Sequence, residues 1–146
     1  MSIQCNSDKP VVMIAEDDID DQLLLDVAFG AFKDSLEVQL VKDGEELMEC
    51  LCPQGAQGPL PQPSLILLDL NMPKIDGRQA LVEIKGRADL KDIPIVVWTT
   101  SSEEEDKIFC AKIGVSDFVT KPSDFLEMDA AIKEIVKTWL QLTPLK

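Results

Sequence analysis

Residues 65–73 read LILLDLNMP, and this stretch decides the fold. Its first four side chains, Leu65-Ile66-Leu67-Leu68, are branched and apolar, with no polar residue between them. A short apolar run without alternation predicts a β-strand covered on both faces, as in a parallel sheet. The run stops at Asp69, so we expect this strand to end at a polar edge of the sheet.

The same pattern recurs along the chain. Further strands are predicted from apolar runs that end in polar residues, at 11–15 before Glu16-Asp17-Asp18 and at 95–98 before Thr99-Thr100. A short strand is also predicted at 117–120, before Lys121-Pro122. A fifth segment differs, because Leu36, Val38 and Leu40 alternate with polar residues. Alternation predicts a half-buried strand, which we place at an edge of the sheet.

Five helices are predicted between and after these strands, over residues 19–33, 45–51, 78–87, 103–113 and 124–141. Apolar residues at helical spacing mark the faces expected to point inward. In the first helix these are Leu23, Leu24, Val27, Ala28 and Ala31, and in the last they are Leu126, Ile132, Ile135, Val136 and Trp139. Strands alternating with helices through right-handed crossovers give a doubly wound α/β fold around a five-stranded parallel sheet.

The chain has 146 residues, which is the length of one domain. We expect residues 1–10 to form a flexible N-terminal arm and residues 11–146 a single domain with a short apolar C-terminal tail. Segment 53–63 holds four prolines and two glycines and is predicted to be a loop. No apolar run approaches the roughly 18 residues of a membrane span, and the N-terminus lacks the apolar core of a signal peptide. A cytoplasmic location is therefore expected.

The composition narrows the classes of function. There are 14 basic and 27 acidic side chains, and the net charge of −13 disfavours binding to nucleic acid or to an anionic membrane surface. The absence of histidine excludes catalytic schemes that rely on imidazole. Cys5, Cys50, Cys52 and Cys110 lack the paired spacing of common zinc sites, and we expect them to be reduced thiols.

The residues that close the strands form the candidate site, because ligands of open parallel sheets bind beyond the carboxyl ends of the strands. These residues are Glu16, Asp17, Asp69, Thr99 and Lys121. Crowded carboxylates favour a hard divalent cation such as Mg²⁺. A carboxylate can also attack phosphorus to form an acyl phosphate, and Asp69 is the candidate nucleophile because it closes the central strand.

Each of these residues has an ordinary structural interpretation when taken alone. The acids at 16–18 and the hydroxyl of Thr99 suit helix caps, and Asp69 suits a turn. Lys121 before Pro122 is typical of a solvated loop. Their joint placement at the ends of four strands favours the functional interpretation.

These motifs resemble the receiver domain of two-component response regulators, from about residue 10 to residue 140. The segments that carry the resemblance are VMIAEDD at 12–18, LLDLNMP at 67–73 with Asp76-Gly77 after it, VVWTTS at 96–101 and FVTKP at 118–122. The resemblance implies a flavodoxin-like fold with strand order 2-1-3-4-5 and five flanking helices. It also implies a signalling protein and not an enzyme, one that catalyses only its own phosphoryl transfer and dephosphorylation.

The resemblance assigns roles at the metal and phosphoryl site. Asp69 would be the phosphoacceptor for a sensor histidine kinase. Mg²⁺ would be held by Glu16, Asp17, Asp69 and the backbone carbonyl of Asn71. Asn71 and Ser101 flank the site at positions where receivers tune the dephosphorylation rate, so the phosphoryl lifetime is not predicted.

The resemblance also implies a switch. Lys121 would contact the phosphoryl group, and its peptide bond to Pro122 would be cis. Thr99 would be the hydroxyl that moves toward the phosphoryl group, and Phe118 the aromatic side chain that follows it. The face formed by the fourth helix, fifth strand and fifth helix would then change its partners. Because the chain ends after the fifth helix, we expect output through binding or through a downstream phosphotransfer protein.

A narrower resemblance is to the single-domain regulators of bacterial and cyanobacterial phytochrome kinases. It rests on the proline-rich segment 53–63 and on the apolar tail 138–145. Those relatives form twofold dimers through the fourth helix, fifth strand and fifth helix. Leu140, Leu142 and Leu145 would be apolar surface that such a homodimer covers.

Three alternatives stay open from the sequence. A phosphorylation-independent receiver-like binding module would bind the metal without being phosphorylated. A phosphatase of the haloacid dehalogenase type would need a second acid two residues after the nucleophile, where this chain has Asn71. A flavodoxin-like cofactor binder would need a phosphate-binding loop after the first strand, where acids stand instead.

Overall fold

The computed structural model describes residues 9–53 and 62–142, which form a five-stranded parallel sheet with helices on both faces. The elements are β1 Val11–Ala15, α1 Ile19–Phe29, a 3₁₀ turn Gly30–Phe32, β2 Glu37–Val41, α2 Gly44–Leu51, β3 Leu65–Leu68, α3 Gly77–Lys85, β4 Ile95–Thr99, α4 Glu104–Ile113, β5 Asp117–Thr120 and α5 Phe125–Leu140. The strand order is β2-β1-β3-β4-β5, so the predicted doubly wound fold is confirmed.

The central strands have the double burial that their unbroken apolar runs predict. Every residue of β1, β3 and β4 is buried. Alternate side chains enter two separate core clusters, one against α2, α3 and α4 and the other against α1 and α5. In the second cluster Ile14 lies beside Leu67, which in turn lies beside Val96. This three-layer core fixes the carboxyl ends of the strands relative to one another.

The inward face of α1 differs from the prediction. Leu23 and Val27 are 61% and 64% exposed, whereas Leu25 and Phe29 are buried with Ala28. The helix has apolar residues on both faces, so periodicity cannot choose which face meets the sheet. Together with Ile19, which is 71% exposed, Leu23 and Val27 form a stripe at i, i+4 and i+8 that we call the α1 stripe.

The fifth helix corrects the prediction in a similar way. Ile132, Ile135 and Val136 are buried as expected, but Leu126 is 74% exposed and Met128 takes the inward place. The helix starts only at Phe125, so its first turn lies at the rim of the core, where Leu126 points away from it.

The apolar tail after α5 is also packed differently from the expectation. Leu140 and Leu142 are partly buried and pack, with Trp139, on the cluster beneath α1 and α5. They are therefore only partly available as the open apolar surface that a dimer would cover. Leu145 lies outside the described residues, as do residues 1–8 of the expected N-terminal arm and 54–61 of the expected loop.

Strand β2 lies at the sheet edge, as predicted, but with less burial than its alternation suggests. Val38 and Leu40 remain 39% and 41% exposed, although Leu36 just before the strand is buried. They share a face with Val12 and Ile14 of β1, at the margin of the area covered by α1.

Acidic caps start four of the helices, which explains part of the acidic composition. The side chains of Asp18, Asp43, Asp76 and Asp124 each accept a backbone N–H in the first turn of the helix that follows. Gly114 ends α4 with a φ of 93°, a left-handed conformation that glycine adopts readily. Cys50, Cys52 and Cys110 are free thiols. Among the described residues, no helix is long and apolar enough to cross a membrane.

Candidate functional site

Three strand ends converge on one buried cluster at the carboxyl edge of the sheet. Glu16 and Asp17 follow β1, Asp69 follows β3, and Lys121 follows β5. Glu16 and Asp69 are 1% and 4% exposed, although acidic side chains are rarely buried without partners. The sequence predicted that these residues meet, and the structure brings them together. We call Glu16, Asp17, Asp69 and Lys121 the acidic site.

The ammonium of Lys121 lies at the centre of this site. Its Nζ is 2.6 Å from Oε1 of Glu16, 2.9 Å from Oδ2 of Asp21 and 3.3 Å from Oδ2 of Asp69. The Lys121 side chain is only 5% exposed. One buried cation therefore serves three carboxylates, and a fourth, Asp17, stands beside them.

The peptide bond that carries Lys121 into the site corrects one expectation. The resemblance implied a cis bond between Lys121 and Pro122, but no peptide bond is cis in residues 9–53 and 62–142. A trans bond is the lower-energy form of an X–Pro peptide. The ammonium reaches Glu16 and Asp69 with the bond in the trans form.

The crowding of carboxylates perturbs the protonation of the site. Burial raises the pKa of Glu16 to about 7; the hydrogen bond from Lys121 opposes this shift and the charge of Asp69 adds to it. Burial also acts against the charge of Lys121, but its hydrogen bonds to Glu16 and Asp21 and the charge of Asp69 raise its pKa above the ordinary value. Lys121 therefore stays charged, and its single positive charge lies among four carboxylates.

The arrangement fits a hard divalent cation. One carboxylate oxygen from each of Glu16, Asp17 and Asp69 lies within 4.8 Å of the other two, a spacing at which one ion can bind all three. Carboxylate oxygens are the ligands that Mg²⁺, Mn²⁺ and Ca²⁺ prefer. Asp17 is exposed at the rim, which leaves the cluster open to solvent on that side. Positive charge placed there would also offset the charge of Asp69, which adds to the effect of burial on the pKa of Glu16.

The loop after β3 holds Asp69 in place. The Asn71 N–H donates to Oδ1 of Asp69 at 3.1 Å, and the Gly77 N–H donates to the Leu70 carbonyl at 3.0 Å. A Cβ at Gly77 would lie 2.4 Å from the Asp69 carbonyl oxygen, so only glycine permits this approach of α3. The Asp69 carboxylate is thus fixed by backbone on one side and by Lys121 on the other.

Thr99 and Phe118 lie on the strands beside the acidic site, and among the described residues neither side chain makes a hydrogen bond to its carboxylates or ammonium. Thr99 is buried, its Oγ1 accepts the Ser101 N–H at 3.2 Å, and its carbonyl accepts the Lys121 N–H at 2.7 Å. Among the described residues, no hydrogen bond joins the Thr99 hydroxyl to Asp69. Phe118 is half-buried and packs against the core cluster under α4.

Two features of the site were not identified as functional from the sequence. Asp21 binds the Lys121 ammonium from the first turn of α1. It stands four residues after Asp17, so the predicted helix start at residue 19 was a signal that could have placed it beside the site. The second feature is an ion pair between Arg78 and Asp106, which joins α3 to α4 beside the site. No sequence signal connects these two residues, since 28 positions separate them.

Comparisons with known proteins identify relatives of the whole domain. The family model for the response regulator receiver domain matches residues 12–133. The response regulator Rcp1 of Synechocystis sp. is 37% identical over 145 residues, which span 99% of this chain and 98% of Rcp1.

Solved structures agree with that result. The phosphorylated cyanobacterial phytochrome response regulator RcpA superimposes with a TM-score of 0.85 at 35% identity, over 94% of this chain and 99% of RcpA. The Mn²⁺-bound form of Rcp1 superimposes with a TM-score of 0.80 at 37% identity, over 94% of this chain and 99% of Rcp1.

Proposed function

The chain belongs to the response regulator receiver domain family, and on that premise we propose that Asp69 accepts a phosphoryl group from a sensor histidine kinase. The observation that carries the proposal is the buried Asp69 carboxylate at the end of the central strand, beside the Lys121 ammonium and two further carboxylates. A nucleophile, a charge partner and a cation site are thus gathered at one point. The protein is a signalling component of the two-component class.

The transfer is a nucleophilic substitution at phosphorus. An oxygen of the Asp69 carboxylate forms the new bond to phosphorus, the bond to the kinase histidine nitrogen breaks, and that nitrogen keeps the electron pair. Lys121 stabilises the charge on the phosphoryl oxygens from its place 3.3 Å from Asp69. Hydrolysis of the acyl phosphate by water would return Asp69 to its starting state.

The proposed cofactor is Mg²⁺. Its ligands would be Glu16, Asp17, Asp69 and the backbone carbonyl of Asn71, whose own N–H already binds Asp69. The bound ion would supply positive charge at the phosphoryl oxygens. Support comes from the oxygen-only ligand set, which suits Mg²⁺, and from the Mn²⁺-bound form of Rcp1.

Phosphorylation would act on the remainder of the domain through Thr99 and Phe118. Thr99 closes β4 next to Asp69, and Phe118 on β5 pairs with Val97, two residues before Thr99. A phosphoryl group would attract the Thr99 hydroxyl, and Phe118 would take up the space this movement leaves. The face of α4, β5 and α5 would then present a different surface, as in other switches where a local charge biases a two-state element.

The kinase partner is proposed to be of the phytochrome type. The support is the similarity over nearly the full length to Rcp1 and to RcpA, the latter a cyanobacterial phytochrome response regulator. The phosphohistidine must come within bonding distance of Asp69, so the kinase must cover the rim of the acidic site. The α1 stripe begins two residues after Asp17 and offers exposed apolar surface at this rim.

A homodimer through α4, β5 and α5 and onward transfer to a phosphotransfer protein complete the proposal. Ile108 of α4, one of the elements of that face, is 46% exposed. We also propose a cytoplasmic location and a single domain over residues 11–146 with an arm at 1–10. The described residues of that range share one sheet, which supports the domain boundary.

The test is intact-protein mass spectrometry after incubation with acetyl phosphate. Wild-type protein with Mg²⁺ is expected to gain the mass of one phosphoryl group. Protein in EDTA and the Asp69→Asn variant with Mg²⁺ are expected to gain none. Labelling of Asp69→Asn at the wild-type level would overturn the assignment of the phosphoacceptor. Mg²⁺ binding without labelling by acetyl phosphate or by a phosphorylated kinase would favour a phosphorylation-independent binding module instead.

A further inference from the structure

A forked ion pair crosses from α3 to α4 immediately beside the acidic site. Arg78 donates from Nε to Oδ1 of Asp106 at 2.8 Å and from Nη2 to Oδ2 at 2.7 Å. Its Nη1 binds the Asp76 carboxylate at 3.1 Å. Two parallel hydrogen bonds of this kind fix both the position and the orientation of the two side chains. We call Arg78 with Asp106 the arginine fork.

The fork holds the segment that connects β4 to α4 through Ser101. The Ser101 hydroxyl donates to Oδ2 of Asp106 at 2.6 Å and accepts the Glu103 N–H at 3.3 Å. The Ser101 N–H donates to Oγ1 of Thr99, and the Ser101 carbonyl accepts the Thr120 hydroxyl at 3.2 Å. Every polar group of Ser101 is therefore bound, and one of its partners is the proposed switch hydroxyl.

A cleft next to the fork separates the segment 100–103 from Asn71 in the loop that follows Asp69. The cleft has a volume of about 330 Å³ and lies between Asn71 on one side and the segment 100–103 on the other, with Arg78 and Asp106 in its wall. The Thr99 hydroxyl makes no hydrogen bond to Asp69 within the described residues. The fork thus braces the segment that follows the proposed switch hydroxyl.

From these contacts we propose that Arg78 and Asp106 are positioning residues that hold Thr99, through Ser101, in the arrangement of the unphosphorylated protein. A phosphoryl group on Asp69 must draw the Thr99 hydroxyl inward against this restraint. The fork therefore sets how strongly the phosphorylated arrangement is favoured. This inference rests on the proposed phosphorylation of Asp69.

The charges around the cleft indicate that Arg78 and Asp106 restrain the segment 100–103 and do not form a second anion-binding site. The Nε, Nη1 and Nη2 groups of Arg78 all donate hydrogen bonds to the carboxylates of Asp106 and Asp76. Glu103 adds another acid to the cleft lining. The hydrogen bonds from Arg78 and Ser101 hold the pKa of Asp106 below its ordinary value, so the fork stays charged.

The test measures the affinity for beryllofluoride in the presence of Mg²⁺, by isothermal titration calorimetry on the full chain. Beryllofluoride binds an aspartate as a phosphoryl mimic that does not hydrolyse, so the affinity reports the switch and not the phosphoryl lifetime. The variants are Ser101→Ala, which leaves the fork intact, Asp106→Asn and the double variant. Ser101→Thr keeps the hydroxyl, and Asp89→Asn removes a carboxylate from the exposed Arg87–Asp89 pair as a matched charge control.

Ser101→Ala and Asp106→Asn are each expected to bind beryllofluoride about three- to tenfold more tightly, the value of one released hydrogen bond. The double variant is expected to bind no more tightly than Asp106→Asn, because both act through one contact. Ser101→Thr and Asp89→Asn should match the wild type. A merely structural role would lower the melting temperature of Asp106→Asn without tightening the binding.

Unchanged or weaker binding by Ser101→Ala would overturn the restraint, as would additive effects in the double variant. Since Ser101→Ala leaves the ion pair in place, this result can be obtained even if Asp106→Asn fails to fold. Wild-type protein that binds no beryllofluoride would instead count against the proposed phosphorylation site. Failure of the restraint and failure of the proposed function are therefore distinguishable.

Discussion

The acidic site and the arginine fork are neighbouring clusters of charged side chains at the same edge of the sheet, yet their balances of positive and negative charge differ. In the acidic site one ammonium serves Glu16, Asp21 and Asp69, with Asp17 beside them. In the fork, every bond of the Asp106 carboxylate has its donor within 2.8 Å. The acidic site has fewer positive than negative charges, whereas the Asp106 carboxylate of the fork has all of its hydrogen-bond donors in place.

The difference teaches how to distinguish a binding site from a brace. Buried charge that is unpaired costs free energy, so a fold retains it only where a ligand or another function compensates. The pKa shifts follow this distinction: burial raises that of Glu16, whereas Arg78 lowers that of Asp106. Mutations and conditions that change the charge of each cluster should therefore have opposite effects.

The largest effect is expected when the acidic site loses the Lys121 ammonium. Lys121→Met should lower the free energy of unfolding of the metal-free protein by about 3 kcal/mol, because three carboxylates lose a buried partner. Mg²⁺ should restore part of that loss. Urea unfolding with and without Mg²⁺ measures both effects. The control is Lys133→Met, whose partly exposed pair with Asp129 should contribute below about 0.5 kcal/mol; equal losses in the two variants would contradict the comparison.

Breaking the fork should cost less and should not respond to metal. Asp106→Asn is expected to lose about 2 kcal/mol of unfolding free energy, because the Arg78 guanidinium, one-third exposed, loses its forked partner. The loss should be the same with Mg²⁺ and with EDTA, as measured by urea unfolding. If Mg²⁺ rescued this variant, the fork would belong energetically to the acidic site and the two clusters would not be separate.

The two clusters should also give stability profiles of opposite slope. Glu16 has a pKa of about 7 in the folded protein and about 4.5 when unfolded, so the folded state holds the proton more tightly. Stability of the metal-free protein should therefore fall by about 1 to 2 kcal/mol as pH rises from 4.5 to 7. The pKa of Asp106 is lowered, so its contribution is present above pH 3.8 and is lost on further acidification.

Thermal unfolding across pH 3 to 8 measures both slopes. Saturating Mg²⁺ is expected to abolish the decrease in stability between pH 4.5 and 7, since the bound ion keeps Glu16 ionised in the folded state. Glu16→Gln should abolish it without metal. A slope that persists in Glu16→Gln would assign the titration to another group.

The sequence predicted the sheet and most of the acidic site because both depend on strand ends. The strands at 11–15, 65–68 and 117–120 have the predicted limits. In the first two, an apolar run that is buried on both faces stops where the polar edge begins, whereas the strand at 117–120 is only partly buried. The parallel order then brings Glu16, Asp69 and Lys121 together.

The remainder depends on choices that local pattern does not fix. Leu23, Val27 and Leu126 were assigned to the core because an apolar residue on a helix does not reveal which face meets the sheet. Arg78 and Asp106 have the composition of ordinary surface helix positions, and only the packing of α3 against α4 pairs them. Long-range pairing of this kind is specified by the tertiary structure.

The smallest expected effect is the most direct contrast between the clusters. At pH 8 without metal, Glu16→Gln should raise the free energy of unfolding by about 1 kcal/mol, because it removes a charge that the fold disfavours. With Mg²⁺ the order should invert, since the variant lacks one of the three carboxylates that can hold the ion. Removing a carboxylate from the fork by Asp106→Asn should destabilise under both conditions. Urea unfolding of both variants at pH 8 measures these differences. If metal-free Glu16→Gln were less stable than the wild type, Lys121 would already balance the charge of the acidic site, and the case for a cation there would weaken.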